Sequence, residues 1–166
     1  MRQIVAFFVF ALLVSGCETT HIVDKTPSPV PVIQQLIDPS NPRQALVIGN
    51  REYKKSGHLK NPTNDAVDIG QILHKKMGYS VDIRINLENK AAMEASIDEF
   101  VERLSALQDG TEEVVGLFYF AGHGVHQSSR NYMLPTHDDQ IQADSDLEEH
   151  AIYLDSVVEK MEKTNQ

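Results

Sequence analysis

Residues 45–48 read Ala-Leu-Val-Ile and close on Gly49-Asn50, a short apolar run with turn residues at its end, which predicts a buried strand. Asn61-Pro62-Thr63-Asn64-Asp65 then offers capping side chains and a proline suited to a first helical turn. Ala66, Ile69, Gly70, Leu73 and Met77 follow at helical spacing, and Gly78 stands where a helix should stop. Tyr79, Val81, Ile83, Ile85 and Leu87 alternate with Ser80, Asp82, Arg84, Asn86 and Glu88, the period of a strand with one buried face. Met93, Ile97, Phe100, Leu104 and Leu107 return at spacings of three and four, predicting a second amphipathic helix that Asp109-Gly110 ends. Residues 114–121 are almost wholly apolar, as in a central strand covered on both faces. Gly122-His123-Gly124 follows, and then Val125-His126 and Tyr132-Met133-Leu134 flank a polar tip as a hairpin would. An acidic loop over 138–149 leads to a last short helix marked by Leu154, Val157, Val158 and Met161. This order predicts an α/β fold, a mostly parallel sheet with helices on both faces.

The front of the chain follows a different pattern. Arg2 precedes an apolar stretch over 4–14, then Ser15-Gly16 and Cys17. Eleven helical residues rise about 16 Å, half of what a membrane span needs, so the stretch reads as a secretory signal. Leu13-Val14-Ser15-Gly16-Cys17 resembles the lipobox of bacterial lipoproteins, in which cleavage precedes the cysteine and its sulfur is acylated. That resemblance implies a lipid anchor at Cys17, a partner membrane, and a domain held outside the cytoplasm on the cell envelope. Five of the seven prolines fall within 27–42, which predicts an extended tether. The expected organisation is a signal over 1–16, an anchor and tether over 17–42, and a folded domain over 43–166.

Composition narrows the chemistry. Fifteen basic against twenty-four acidic residues give a formal charge of −9, opposite to what a phosphate-contacting nucleic-acid binder carries. One cysteine excludes a disulfide within the chain and any site built from several of its own thiolates.

In open α/β sheets ligands gather at the carboxyl ends of the strands. Gly122-His123-Gly124 puts an imidazole there between two residues without side chains, which leaves room for a sharp turn and a closely approaching substrate. His123 is therefore a candidate general base and the Gly124 amide a candidate oxyanion donor. The competing reading is a loop histidine satisfied by a backbone carbonyl. His123 and His126 lack the helical spacing and the intervening glutamate of a zinc peptidase pair, so no metal is assigned to them. Asp138, Asp139, Asp144, Asp146, Glu148 and Glu149 could in principle hold calcium, but their spacing fits no EF-hand and a solvated charge run is the preferred reading. No cofactor is expected.

Four blocks taken in series carry a resemblance: residues 45–50, 59–66, 119–124 and 131–135 are similar to those of the bacterial caspase-like, metacaspase-related cysteine peptidases. It spans about Arg43 to Met161 and implies a caspase-like three-layer sandwich. It also implies hydrolysis of peptide bonds by a Cys–His dyad, with His123 as the histidine and the Gly124 amide at the oxyanion. Members of that family continue into another strand that ends in an Asp-Ala-Cys block bearing the nucleophile. This sequence reaches Gln166 without that block, so the fold is expected to be incomplete at its C-terminal strand, with an open edge beside 114–121. The sulfur of Cys17 lies before the domain, and no serine elbow surrounds Ser128 or Ser129. Three accounts follow: a fragment of a peptidase gene, which is preferred; a half-domain completed by a second polypeptide that brings the strand and the cysteine; or a tethered pseudoenzyme that binds through its open edge. Peptide or protein is the expected substrate class for a completed enzyme.

Overall fold

The computed structural model describes residues 7–12, 36–108, 110 and 113–164. Cys17 and the first part of the tether, 17–35, lie outside the described residues. Among the described residues no helix is long and apolar enough to cross a membrane.

The main sheet is parallel and built from β1 (Phe7–Leu12), β2 (Arg43–Gly49), β3 (Ser80–Ile85) and β4 (Val115–Gly122), in the order β1-β4-β2-β3. The interior strand β2 alternates its side chains between two cores. Ala45 and Val47 meet α1 (Pro62–Met77) on one face, and Leu46 and Ile48 meet α2 (Lys90–Leu107) on the other. That is why its sequence is apolar without alternation. β4 behaves likewise, with Leu117, Tyr119 and Ala121 toward α1 and Phe118 and Phe120 toward α2.

A second, antiparallel sheet joins β5 (Gly124–Gln127), β6 (Arg130–Met133) and β7 (Ile152–Tyr153). Ser128 and Ser129 at the hairpin tip have φ of 49° and 64°. After this hairpin come two single 3₁₀ turns, the four-residue α3 (Leu147–His150), and then α4 (Leu154–Lys163), which packs Val157 and Met161 into the core beneath α2.

Local chemistry sets the helix ends. Pro62 opens α1, and Gly78 closes it at φ 72° while its N–H donates to the Leu73 carbonyl. Asn61 precedes the helix but its side chain makes no capping bond, unlike Asn89, whose Oδ1 accepts from the Ala92 amide at 2.9 Å to start α2. Gly49 allows α1 to seat on the end of β2: a Cβ there would lie 2.4 Å from the Pro62 carbonyl oxygen and 2.7 Å from the Ala66 Cβ.

Three expectations change. β3 is not solvated on its polar face: Ser80 and Asp82 are buried, and α2 covers that side with Arg103 and Glu99. The acidic segment is not an open loop but folds into short helical turns, anchored by buried Leu147 and Asp138. The edge of β4 that the sequence leaves open carries β1, with Phe7 opposite Leu117 and Leu12 opposite Gly122. An unpaired row of backbone donors and acceptors accepts any extended segment that can reach it. β7, two residues long, has no pattern of its own from which to be read.

Candidate active site

β2, β3 and β4 all end on one side of the sheet, and the segments leaving them are tied together there. Asn50, wholly buried, donates from its backbone N–H to the Ala121 carbonyl, accepts from the Leu87 amide at Oδ1 (2.9 Å), and donates from Nδ2 to the Leu134 carbonyl (3.1 Å). Asn86, at φ 53°, accepts from the amides of Arg51 (2.9 Å) and Glu52 (3.3 Å). Together these two asparagines turn the chain after β2 across the strand ends.

That turn becomes a strap over residues 51–59. The Lys54 amide donates to the Thr136 carbonyl at 3.0 Å, and the Leu59 amide donates to Arg51 at 3.1 Å. Asp138, 1% exposed, accepts from the Lys55 amide at Oδ1 and from the Ser56 amide at Oδ2, both at 2.8 Å. Burial alone would raise the Asp138 pKa, but the hydrogen bonds from Ser56 and Lys55 outweigh it and hold the carboxyl below its ordinary value.

His123 sits under this strap at the end of β4. Its Nε2 lies 3.2 Å from the Gly57 carbonyl oxygen, and its ring meets the Tyr53 ring at a centroid distance of 4.5 Å and an angle of 65°. A carbonyl only accepts, so this contact puts the imidazole proton on Nε2 and leaves the lone pair on Nδ1. Both readings of the histidine thus find a counterpart: a carbonyl engages one nitrogen, and the chemistry of a base is left to the other. Gly57 has φ 85°, a left-handed conformation that glycine adopts without strain.

The two glycines around His123 do not make a sharp left-handed turn. Gly122 is the last residue of β4 and Gly124 the first of β5, where it stands opposite Met133. Among the described glycines a left-handed φ belongs to Gly57 and Gly78. Beside the strap, Glu52, His58, Glu88 and His137 help line a cleft of about 490 Å³ that also touches Tyr53 and Gly57.

The other sequence candidates lie apart. His126 turns along the hairpin, its Nδ1 3.0 Å from the Asn131 Oδ1, and does not join His123. The acidic residues point to different partners. Asp138 holds the strap, Asp146 accepts from the Gln142 and Ala143 amides of its own turn, and Glu148 pairs with Arg130 at 2.6 Å. Among the described residues no three His, Cys, Asp or Glu side chains converge as metal ligands would. Tyr53 and Gly57 are not singled out by the sequence, and Asn50, Asn86 and Asp138, though named there, are given no part in holding the strap. Tyr53 follows the end of β2 among four charged residues, a setting that gives no sign of its burial.

Comparison with known proteins agrees with this arrangement. Residues 42–165 match the family described as the caspase domain. The mucosa-associated lymphoid tissue lymphoma translocation protein 1 of Homo sapiens is 33% identical over 91 residues, which is 55% of this chain and 10% of that protein. Its Mus musculus homolog gives the same identity over the same length. The chain spans about a tenth of the length of these curated relatives. A parallel sheet between two helical layers, a histidine at the end of its central strand, and a family match over most of the sequence lead to one assignment: the chain belongs to the caspase domain family.

Proposed function

We propose that this chain is the histidine-bearing part of a caspase-like cysteine endopeptidase. The observation that carries this reading is the Gly57 carbonyl on His123 Nε2, which reserves Nδ1 for proton transfer at the carboxyl end of β4. In such a site Nδ1 takes the proton of a cysteine thiol as the sulfur attacks the peptide carbonyl carbon. The Gly124 amide is assigned as one donor to the oxyanion. The proton then passes to the leaving amine, and water hydrolyses the acyl-enzyme. The sequence holds one cysteine, Cys17, at the lipobox-like segment, so the sulfur is assigned to polypeptide outside these 166 residues.

The chain alone is therefore expected to leave Arg-, Lys- and Asp-containing fluorogenic peptides uncut under reducing conditions. It should also form no covalent adduct with a peptide electrophile at any residue beyond the tether. Turnover by the purified chain that disappears in His123→Ala would overturn the assignment of the nucleophile. A dyad acts as a unit, so residual activity without its sulfur should be indistinguishable from buffer.

Cys17 is proposed as the lipid attachment point of a bacterial envelope protein. Metabolic labelling with a radioactive fatty acid should mark the full chain and leave Cys17→Ala unmarked; equal labelling of both would remove the anchor from this reading. Two or three acyl chains, at about 0.8 kcal/mol per buried methylene, hold a protein on a membrane firmly.

A second reading, a non-catalytic module that binds a partner strand, draws support from β4. Its edge takes a parallel strand along six residues, 7–12, which signal cleavage would remove. A partner that co-purifies with the processed chain, alongside absence of a cysteine-bearing complement, would favour it.

A further inference from the structure

We propose that Tyr53 is the positioning residue for His123, acting through its phenolic hydroxyl; the catalytic consequence rests on the reading of His123 as a base, while the positioning itself does not. A histidine at a strand end must be held by its main chain as well as its ring. The His123 N–H donates to the Tyr53 Oη at 2.8 Å, and the His123 carbonyl accepts from the Leu134 amide at 3.0 Å. The same hydroxyl donates onward to the Leu134 carbonyl at 3.3 Å. One phenol thus uses its acceptor and its donor to close a ring of bonds around the backbone of residues 123 and 134. Burial, the largest influence on it, pushes the Tyr53 pKa well up, so the donating proton stays in place.

The aromatic ring does a second job. It meets the imidazole nearly edge-on, and the strap that carries Tyr53 delivers the Gly57 carbonyl to Nε2 four residues later. Backbone and ring plane of His123 are therefore referred to one side chain, 1% exposed. Gly122 completes the fit: a Cβ at that position would stand 2.3 Å from the Tyr53 Oη and 2.7 Å from the Phe120 Cζ. The first glycine of Gly122-His123-Gly124 is explained by the hydroxyl it admits, not by a turn.

A tyrosine that only filled the core would be replaceable by phenylalanine without consequence for the histidine. The test is heteronuclear NMR on the full chain and on Tyr53→Phe, Gly122→Ala and the double variant. In Tyr53→Phe the signals of Phe100 and Met161 on the far face should stay in place. The His123 amide should exchange about tenfold faster, since a lost hydrogen bond opens that site locally. Contacts from the His123 ring to the Gly57 Hα should fade, and the imidazole nitrogen shifts should move away from a single Nε2–H form. Gly122→Ala should disturb the same His123 signals, and less so when Tyr53 is already phenylalanine, because the clashing oxygen is gone.

Unchanged His123 exchange and ring contacts in a folded Tyr53→Phe would overturn the proposal. Unfolding of both single variants would do so too, since it assigns the pair to the fold instead of to the histidine. An ordered His123 that depends on Tyr53, in a chain that gains no peptidase activity when a cysteine-bearing complement is supplied, would sink the proposed function and leave the positioning standing.

Discussion

Replacing Asp82 with alanine should lower the unfolding free energy by about 3–5 kcal/mol, the range for breaking a buried ion pair from one side. Asp82 projects from the edge strand β3 toward α2, with its side chain 5% exposed. Arg84 reaches it with Nε at 2.7 Å and with Nη2 at 3.0 Å, and Arg103 of α2 reaches the second oxygen at 2.9 Å. Without the carboxylate, Arg84 still has Glu99 at 2.8 Å and is one-third exposed, but Arg103, whose side chain is 17% exposed, loses the ion-pair partner of its guanidinium. The cost therefore falls on Arg103, whose Nε already has no hydrogen-bond partner. Urea denaturation of three variants separates the contributions. Asp82→Ala should lose the full amount, and Glu99→Ala, which removes a carboxylate 53% exposed, should lose less than about 1 kcal/mol. The double variant Asp82→Val with Arg103→Met should recover most of the loss, because no charge is left stranded. A loss below about 1 kcal/mol in Asp82→Ala would mean that α2 grips β3 through apolar packing alone. The network bears on the site because β3 runs directly into Asn86, which receives the first two amides of the strap.

What the sequence reveals, and what it conceals, follows from how information is written in it. β2, β4, α1 and α2 were legible because burial on a whole face leaves a period, and Leu46, Phe118, Met93 and Phe100 sit where that period puts them. The alternation over β3 correctly separated two faces. It could not tell that α2 would cover the polar one, because Arg103 lies 21 residues away from Asp82 and no local pattern links them. His123 was legible through its flanking glycines and the four blocks of resemblance. The members that hold it were not. Tyr53 stands among Arg51, Glu52, Lys54 and Lys55, where nothing marks it as buried, and Gly122 owes its identity to an atom 69 residues earlier in the chain. Asp138 was concealed by company: in a run with Asp139, Asp144 and Asp146 it reads as one more solvated charge, yet it is the carboxylate turned inward. Long-range satisfaction of buried polar groups is the content that composition and periodicity do not carry.

Asp138→Ala is the second large effect expected, about 2–3 kcal/mol in the unfolding free energy, because two part-buried amides lose their acceptor at once. Its dependence on acid distinguishes this explanation from simple packing. The folded pKa lies below the ordinary 3.8, so between those values the unfolded chain binds the proton and the folded chain does not. Stability from this group is thus fully present above about pH 4 and is lost as the pH falls through the lowered folded value. Wild type loses it on acidification; Asp138→Ala has none to lose. The gap between the two should shrink as the pH is taken from about 6 to below 3, while a pure packing defect would keep it constant. Amide exchange at Lys55 and Ser56 should follow the same course, slow in wild type near neutrality and fast in the variant at every pH after correction for intrinsic rates. Because those amides bracket the approach to Gly57, the His123 ring should lose its carbonyl contact in the same variant, with Tyr53 still bonded to the His123 N–H. A gap that stays level through the acid limb would show that Asp138 fills space at the strap and that its charge holds nothing.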